Sequence, residues 1–263
     1  MLLAIDVGNT NITLGVFDGD KLVHTSRLES VRTRTADEYA VFLTQLFRLH
    51  DVDAGKIHAS IVASVVPPLT EPMVQLVKNA FGHHASVVGP GMRTQMPILA
   101  ENPREVGADR IVNAVAAFER FKSACIVVDF GTATTFDCVT QKGEYMGGAI
   151  APGIHVSADA LFSRAAKLPR IEIAAPQKVI GRNTLTAMQA GIVFGYVGLC
   201  DGLVERIRAE MSGGGAAPAD FEVPVIATGG LATVIVPHMK TPAEILPDLT
   251  LEGLRILHER SER

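Results

Sequence analysis

The sequence predicts an α/β protein built from two similar lobes, and three observations carry that prediction. The first is a strand-to-turn unit that occurs twice: Leu2-Leu3-Ala4-Ile5-Asp6-Val7-Gly8-Asn9-Thr10 and Val127-Val128-Asp129-Phe130-Gly131-Thr132-Ala133-Thr134-Thr135. In each copy an apolar run without alternation enters Asp-x-Gly and then Asn or Thr. Such a run reads as a strand buried on both faces, and a glycine past its end permits a tight turn. The second observation is that the likeness continues beyond the turn. Residues 12–17, the turn Asp18-Gly19-Asp20 and residues 21–26 are matched by residues 134–139, Gln141-Lys142-Gly143 and residues 144–150. Each copy is a strand followed by a hairpin closed on a glycine-containing turn. The third is alternation of strand-like and helix-period segments, the mark of an α/β lobe.

In chain order, residues 36–50 carry Tyr39, Phe42, Leu43, Leu46 and Phe47 at spacings of three and four, an amphipathic helix. A strand over 57–66 follows, then a helix opened by Pro67-Pro68 and running to Phe81, then a short strand over 85–88. Residues 89–107 read as an irregular connection, a length that is usually functional. It ends at Asn102-Pro103 and leads through Gly107-Ala108-Asp109-Arg110 into a helix with Ile111, Val115 and Phe118 on one stripe. Asp109 reads either as a helix-start acid or as part of a site, and Arg110 at the positive end of the helix tilts the pair toward an anionic ligand.

Past the second Asp-x-Gly turn, Gly147-Gly148 and Gly153 precede a helix over 154–166 carrying His155, read as structural. A long helix from Thr184 to about Met211 carries Gly191, Gly195, Gly198 and Gly202. Glycine is unfavourable inside a helix, so this repetition predicts close approach of another backbone, between subunits by preference. Residues 212–218 read as an exposed loop. A strand over 222–227 delivers Thr228-Gly229-Gly230 to a third glycine turn, and Pro247-Asp248-Leu249-Thr250 precedes a final helix. The duplication divides the chain into lobes of residues 1–118 and 119–263.

A formal net charge of −4 with no Lys/Arg cluster argues against nucleic-acid binding, and Arg27, Arg32 and Arg34 read as solvated surface charge. The three cysteines, Cys125, Cys138 and Cys200, have no metal-ligand spacing and suit reduced thiols. Asp6 interrupts any signal-peptide segment, and no uninterrupted apolar run reaches the roughly 18 residues of a membrane span. The expectation is a soluble, cytoplasmic protein with no membrane partner.

Three glycine turns at strand ends, with hydroxyls beside them, suit a polyphosphate: freed backbone N–H groups cradle phosphate oxygens, and hydroxyls add donors. Carboxylates repel bare phosphate, so Asp6 and Asp129 in such turns call for a cation between. Neither GxxxxGK[ST] nor GxGxxG after a strand is present, so these glycines belong to neither a P-loop nor a Rossmann site.

The duplicated Asp-x-Gly hairpins resemble the superfamily of acetate and sugar kinases, heat-shock chaperone ATPases and actin. Within it the ordered set of Asp6-Val7-Gly8-Asn9-Thr10, Gly89-Pro90-Gly91, Asn102-Pro103, Gly107-Ala108-Asp109-Arg110, the Asp129 turn, Gly147 to Gly153, Ala227-Thr228-Gly229-Gly230 and Pro247-Asp248-Leu249-Thr250 is similar to type III pantothenate kinase, over essentially the whole chain.

The resemblance implies two ribonuclease H-like (actin-like ATPase) lobes of mixed sheets flanked by helices, with nucleotide in the cleft between them. It implies transfer of the γ-phosphoryl group of ATP to pantothenate, giving 4'-phosphopantothenate at the start of coenzyme A synthesis. Asp6, Val7, Gly8, Asn9, Thr10, Asn11, Ile12 and Thr13 would form the first phosphate turn, Thr132 would touch ATP in the second, and Thr228-Gly229-Gly230 would lie near the adenosine. Gly107, Ala108, Asp109 and Arg110 would hold pantothenate, with Asp109 as general base. Asp129 would ligate the monovalent cation, K+ or NH4+, beside the Mg2+ that accompanies ATP. Thr184 would reach pantothenate from the neighbouring subunit of a homodimer.

Two positions depart from the family's usual pattern: Ala100 stands where a tyrosine lines the pantothenate pocket, and Gln95 where a glycine is usual. The alternatives are a non-catalytic accessory or regulatory nucleotide-binding factor, and a kinase of the same superfamily for another small hydroxyl acceptor.

Overall fold

The computed structural model describes residues 1–213 and 223–262. They fall into two compact units, one of residues 1–116 with the C-terminal stretch from 248, the other of residues 117–247. In the first, β1 (Leu2–Val7), β2 (Asn11–Asp18), β3 (Lys21–Glu29), β4 (Ala59–Ser64) and β5 (Ser86–Val87) form a sheet in the order β3-β2-β1-β4-β5. The hairpin strands are antiparallel, and β4 and β5 run parallel to β1 and to each other. Parallel neighbours need crossovers, here α1 (Ala36–Leu49) and α2 (Pro67–Phe81).

Local chemistry fixes those helices. Thr35 and Glu38 close a reciprocal capping box at the start of α1. Pro67 and Pro68 open α2, and Gly82 ends it at φ 73°. Tyr39, Leu43 and Phe47 of α1 pack with Leu3, Ile5 and Val7 of β1 and Leu69, Met73 and Leu76 of α2. Phe42, on the predicted stripe, instead faces outward beneath the guanidinium of Arg34, which lies 4.8 Å from its ring centre.

The second unit repeats the plan. β6 (Cys125–Phe130), β7 (Ala133–Val139), β8 (Tyr145–Pro152), β9 (Val225–Thr228) and β10 (Glu244–Ile245) stand in the order β10-β9-β6-β7-β8. Strand for strand this is the first sheet again, with β6 in the place of β1. Its helices are α4 (Ile154–Arg164), α5 (Thr184–Met211) and the short α6 (Ala232–Ile235). Between the sheets in sequence runs α3 (Ala108–Phe121), buried on all sides from Ile111 to Ala117.

The last helix, α7 (Leu249–Glu262), counts with the first unit, whereas the duplicated sequence alone groups it with the second. It packs so closely that a Cβ on Gly253 would stand 2.2 Å from the carbonyl oxygen of Val112. Thr250 Oγ1 donates to Asn113 Oδ1 at 2.7 Å, and Arg260 donates to the Thr94 carbonyl. β10 and α6, for which the sequence gives no periodic signal, complete the second sheet and its edge. The long connection over 89–107 holds a single 3-10 turn, Pro103–Glu105, and Gln95 within it adopts φ 55°, a conformation that favours glycine. The predicted loop over 212–218 lies outside the described residues from Gly214 on, as does Glu222 at the predicted start of β9.

Helix α5 does not meet another backbone of its own chain at its glycines: no described group outside the helix lies within 4 Å of a Cβ built on Gly191, Gly195 or Gly198. By length and composition α5 is long and apolar enough to cross a membrane. In the second unit its Ile192, Val193, Tyr196, Cys200 and Val204 pack into the core with Ile126, Val128 and Phe136. All three cysteines are buried and free, and burial pushes the Cys125 and Cys200 thiols up to about 12.

Candidate functional site

In the first unit the Asp6 turn closes where β1 ends. The Gly8 amide donates to the Asn11 carbonyl at 3.0 Å, leaving Asn9, Thr10 and Asn11 exposed at the tip. Ser30 braces the turn from the end of β3: its hydroxyl donates to the Gly8 carbonyl at 2.6 Å and its amide to the Thr10 carbonyl at 3.0 Å. Asp6 is half-buried between Thr13 of β2 and Ala63 of β4. The side chains of Val7 and Ile12 are in the core, so those two positions offer a ligand only backbone.

The same strand ends carry Asp109. The Val65 amide donates to the Val7 carbonyl at 3.0 Å, binding the end of β4 to that of β1. A Cβ on Gly107 would meet Asp109 Oδ1 at 2.6 Å and Val65 Cγ1 at 3.6 Å, so a side chain there would turn the carboxylate from its present position. Asp109 Oδ1 accepts from the Arg110 amide at 2.7 Å in the first turn of α3. Burial pushes the Asp109 carboxyl above its ordinary value, with the Arg110 amide and guanidinium opposing part of that rise. The fold therefore brings residues 6–13 and 107–110 to the ends of adjacent strands. A carboxylate held by backbone amides and still raised in basicity by burial is suited to accept a proton.

In the second unit, Asp129 lies between Thr135 of β7 and Thr228 of β9. The Gly131 amide donates to the Ala133 carbonyl at 3.1 Å, leaving Gly131 and Thr132 exposed. Two further glycines close on this turn. A Cβ on Gly153 would stand 2.1 Å from the Thr132 carbonyl oxygen, and one on Gly229, at φ 87°, would stand 2.6 Å from both Asp129 Oδ1 and the Phe130 carbonyl oxygen.

Any side chain at position 229 would therefore push the Asp129 carboxylate and the Phe130 backbone aside. A lone carboxylate among oxygen donors suits a hard cation rather than a soft one. Among the described residues no cluster of three or more His, Cys, Asp or Glu could hold a metal ion. For Mg2+ the residues present, Asp6 and the turn backbone, match the usual arrangement in which one or two carboxylates share the ion with phosphates and water.

Thr184 opens α5 behind the cap Asn183, whose Oδ1 accepts from the Thr186 amide at 2.9 Å. It lines a cleft of about 750 Å³ with Leu161, Leu168, Arg182, Met188 and Ile192, a lining that shares no residue with the Asp129 turn. His155 is exposed at the start of α4. Two features escape the sequence reading: the brace at Ser30, which has no motif, and a buried carboxyl at Asp137. The latter is signalled only by an acid inside the apolar run of β7.

With this geometry in place, comparison with known proteins places the chain in a family. The family model for type III pantothenate kinase matches residues 2–206. The type III pantothenate kinase of Geobacter sulfurreducens is 55% identical over 261 residues, covering 99% of each chain. Two solved structures share the fold at low identity. One is a Campylobacter jejuni protein described as a conserved Baf-family transcriptional activator, with TM-score 0.60 and 17% identity over 99% of this chain and 98% of that one. The other is component A of the (R)-2-hydroxyglutaryl-CoA dehydratase of Acidaminococcus fermentans, with TM-score 0.56 and 14% identity over 100% and 99% of the two chains. The duplicated Asp-x-Gly hairpins, the Asp109 helix start and a relative identical at more than half of its positions lead to one assignment: the chain belongs to the type III pantothenate kinase family.

Proposed function

We propose that this protein transfers the γ-phosphoryl group of ATP to the primary hydroxyl of pantothenate, giving 4'-phosphopantothenate in coenzyme A biosynthesis, with Asp109 as general base. The observation that carries the assignment of the base is the Asp109 carboxylate itself: seated by Gly107, fixed by the Arg110 amide and raised in basicity by burial. Phosphoryl transfer leaves little covalent chemistry to the protein, so positioning and charge neutralisation supply most of the rate enhancement.

Residues 6–13 hold ATP phosphates through the exposed amides and hydroxyls of Asn9, Thr10 and Asn11, with Thr132 contacting ATP from its own turn. Gly107, Ala108 and Arg110 hold pantothenate, Arg110 facing its carboxylate. Asp109 accepts the hydroxyl proton as the oxygen attacks. Asp129 holds K+ or NH4+, and Mg2+ on ATP near Asp6 neutralises phosphate charge. The active form is a homodimer, supported by the open glycine face of α5, in which Thr184 contacts the pantothenate of the other subunit. The enzyme works in the cytoplasm, without nucleic acid or membrane.

The test is ADP release with pantothenate and other hydroxyl acceptors in K+, NH4+ or Na+. Pantothenate turnover is expected with K+ or NH4+ and a collapse with Na+. Asp109→Asn is expected to keep ATP binding and lose about 10²–10⁴-fold in kcat, the usual share of a general base. Because burial raises the Asp109 pKa, the acidic limb of kcat/KM against pH should stand above the value of an ordinary aspartate: activity appears as pH rises through that raised value and is lost below it. A variant with near wild-type kcat removes Asp109 from the role.

A further inference from the structure

The row of residues that crosses the first sheet at Asp6 ends on a cation. Asp6 of β1 pairs with Thr13 of β2, and Thr13 pairs in turn with Arg27 of β3. Partners directly across a ladder stand on the same face, with Cβ atoms about 4.5–5.5 Å apart. Arg27 therefore stands on the face of Asp6, two strands away and about 10 Å across the sheet. An extended arginine and one phosphate oxygen together span that distance.

The strand that carries Arg27 is fastened to the first turn itself. Asn11, at the tip, pairs with Glu29, and Ser30 donates to the Gly8 and Thr10 carbonyls at 2.6 and 3.0 Å. Arg27 lies three residues before that brace, in the strand that leads to it. It is exposed, and among the described residues no acid forms an ion pair with it. Arg34, further on, is held against the rings of Tyr39 and Phe42, 5.3 and 4.8 Å from their centres.

The second unit shows that the sheet asks for no charge at this place. Counted from its aspartate, the row there runs Asp129, Thr135, Ile150, and Ile150 is 65% exposed. Strand pairing is served by either side chain. The ordinary role of an edge-strand cation, keeping the edge from pairing with another chain, is already filled by Lys21 at the other end of β3. What the first turn does not supply from its own residues is positive charge: Asn9, Thr10 and Asn11 offer amides and hydroxyls, and Asp6 repels phosphate. A guanidinium presents a planar fork of donors matched to phosphate oxygens.

We propose that Arg27 is a substrate-binding residue of the first turn: its guanidinium reaches along the face of Thr13 and Asp6 to the phosphate chain of a nucleoside triphosphate. Its reading as solvated surface charge then holds only for the protein without nucleotide. The inference rests on the reading of residues 6–13 as the ATP phosphate turn.

The test compares Arg27→Gln, Arg27→Lys, Lys21→Gln and Asp6→Asn by ADP release with pantothenate at fixed KCl. Arg27→Gln should lower kcat/KM for ATP about 10–100-fold, the scale of one charge-assisted hydrogen bond. KM for pantothenate at saturating ATP, and the Tm without substrates, should stay as in the wild type. Arg27→Lys should recover part of the loss, since it returns the charge without the fork. Lys21→Gln removes the same charge from the far end of the strand and should behave as wild type. Added choline chloride should weaken kcat/KM for ATP more in the wild type than in Arg27→Gln, which has lost the charge that salt screens. The Tm rise given by ATP with Mg2+ and no acceptor should fall in the same order, so the contact is read even where the acceptor is not pantothenate.

Wild-type kcat/KM for ATP in Arg27→Gln, an equal loss in Lys21→Gln, or a change confined to KM for pantothenate overturns the proposal. If Asp6→Asn loses turnover in that case, the reading of the first turn stands and Arg27 alone is removed from it. Wild-type kinetics with ATP in Asp6→Asn as well remove the turn reading and the proposal together. Should Arg27→Gln lose Tm, Arg27→Met, which keeps the aliphatic stem, is read in its place.

Discussion

The two sheets are copies in strand order, yet they finish their Asp-x-Gly turns differently. The first turn is braced by a side chain, Ser30, and its Asp6 stands among threonine and alanine neighbours. The second is braced by backbone: Gly153 and Gly229 approach to distances that no side chain permits, and Asp129 stands between two threonines. One position further along the same face, the first sheet has Gly15 under a leucine and the second has Asp137 under a tyrosine. A duplicated scaffold thus keeps its strand order while the groups that close and surround its two turns differ. Ladder geometry depends on backbone, whereas ion preference depends on a few oxygens.

The largest test of this contrast is Asp6→Asn against Asp129→Asn. Asp6→Asn should lower kcat about 10²–10³-fold at every cation concentration, the scale of losing one preorganised electrostatic group. The loss in Asp129→Asn should depend on K+ and shrink as K+ is raised. Identical cation dependence in the two variants would erase the distinction between the turns. Titration of ADP release with KCl reads both.

Next in size is a stability contrast between two glycines on helices. Gly253 of α7 faces the Val112 carbonyl, a backbone atom that cannot swing aside. Gly253→Ala should destabilise by about 1–3 kcal/mol, the range for overpacking, seen as a lower urea midpoint with unchanged slope. A midpoint equal to wild type would show that α7 does not need that approach.

The smallest expected effect is at Gly195, which no described group of its own chain approaches. Alanine there adds about 0.5–1 kcal/mol of helix propensity to the single chain. On a face that meets a second copy it also pushes the copies apart. Sedimentation at several concentrations should show a weakened dimer with no loss of Tm in the dilute protein. A lower Tm at the highest dilution would instead mean that Gly195 packs within its own chain.

Much of the fold was legible because it is written in local patterns. The apolar runs ending in Asp6 and Asp129, the glycine turns Gly19 and Gly143, the Pro67-Pro68 helix start and the 28-residue α5 each follow from periodicity or backbone preference near the residue itself. Phe42 shows the limit: its spacing fits the stripe of α1, but the buried arc is only wide enough for Tyr39, Leu43 and Phe47. Of the candidate site, the identities of Asp6, Asp109, Asp129 and Thr132 came from motif order. The role of Gly107 in seating Asp109 did not, because it depends on a distance to a side chain two residues away in an irregular backbone.

By itself, then, the sequence determined the duplicated strand order, the helices with their caps, and the acids placed at strand ends, since these depend on residues close together in the chain. Only the tertiary structure decided that α7 returns to the first sheet, that Gly153 and Gly229 close on the Asp129 turn, and that the Tyr145 and Thr135 hydroxyls meet the buried Asp137 carboxylate. Those are contacts between residues far apart in sequence, and their free energy comes from close packing and desolvation, which exist only once the sheets have formed.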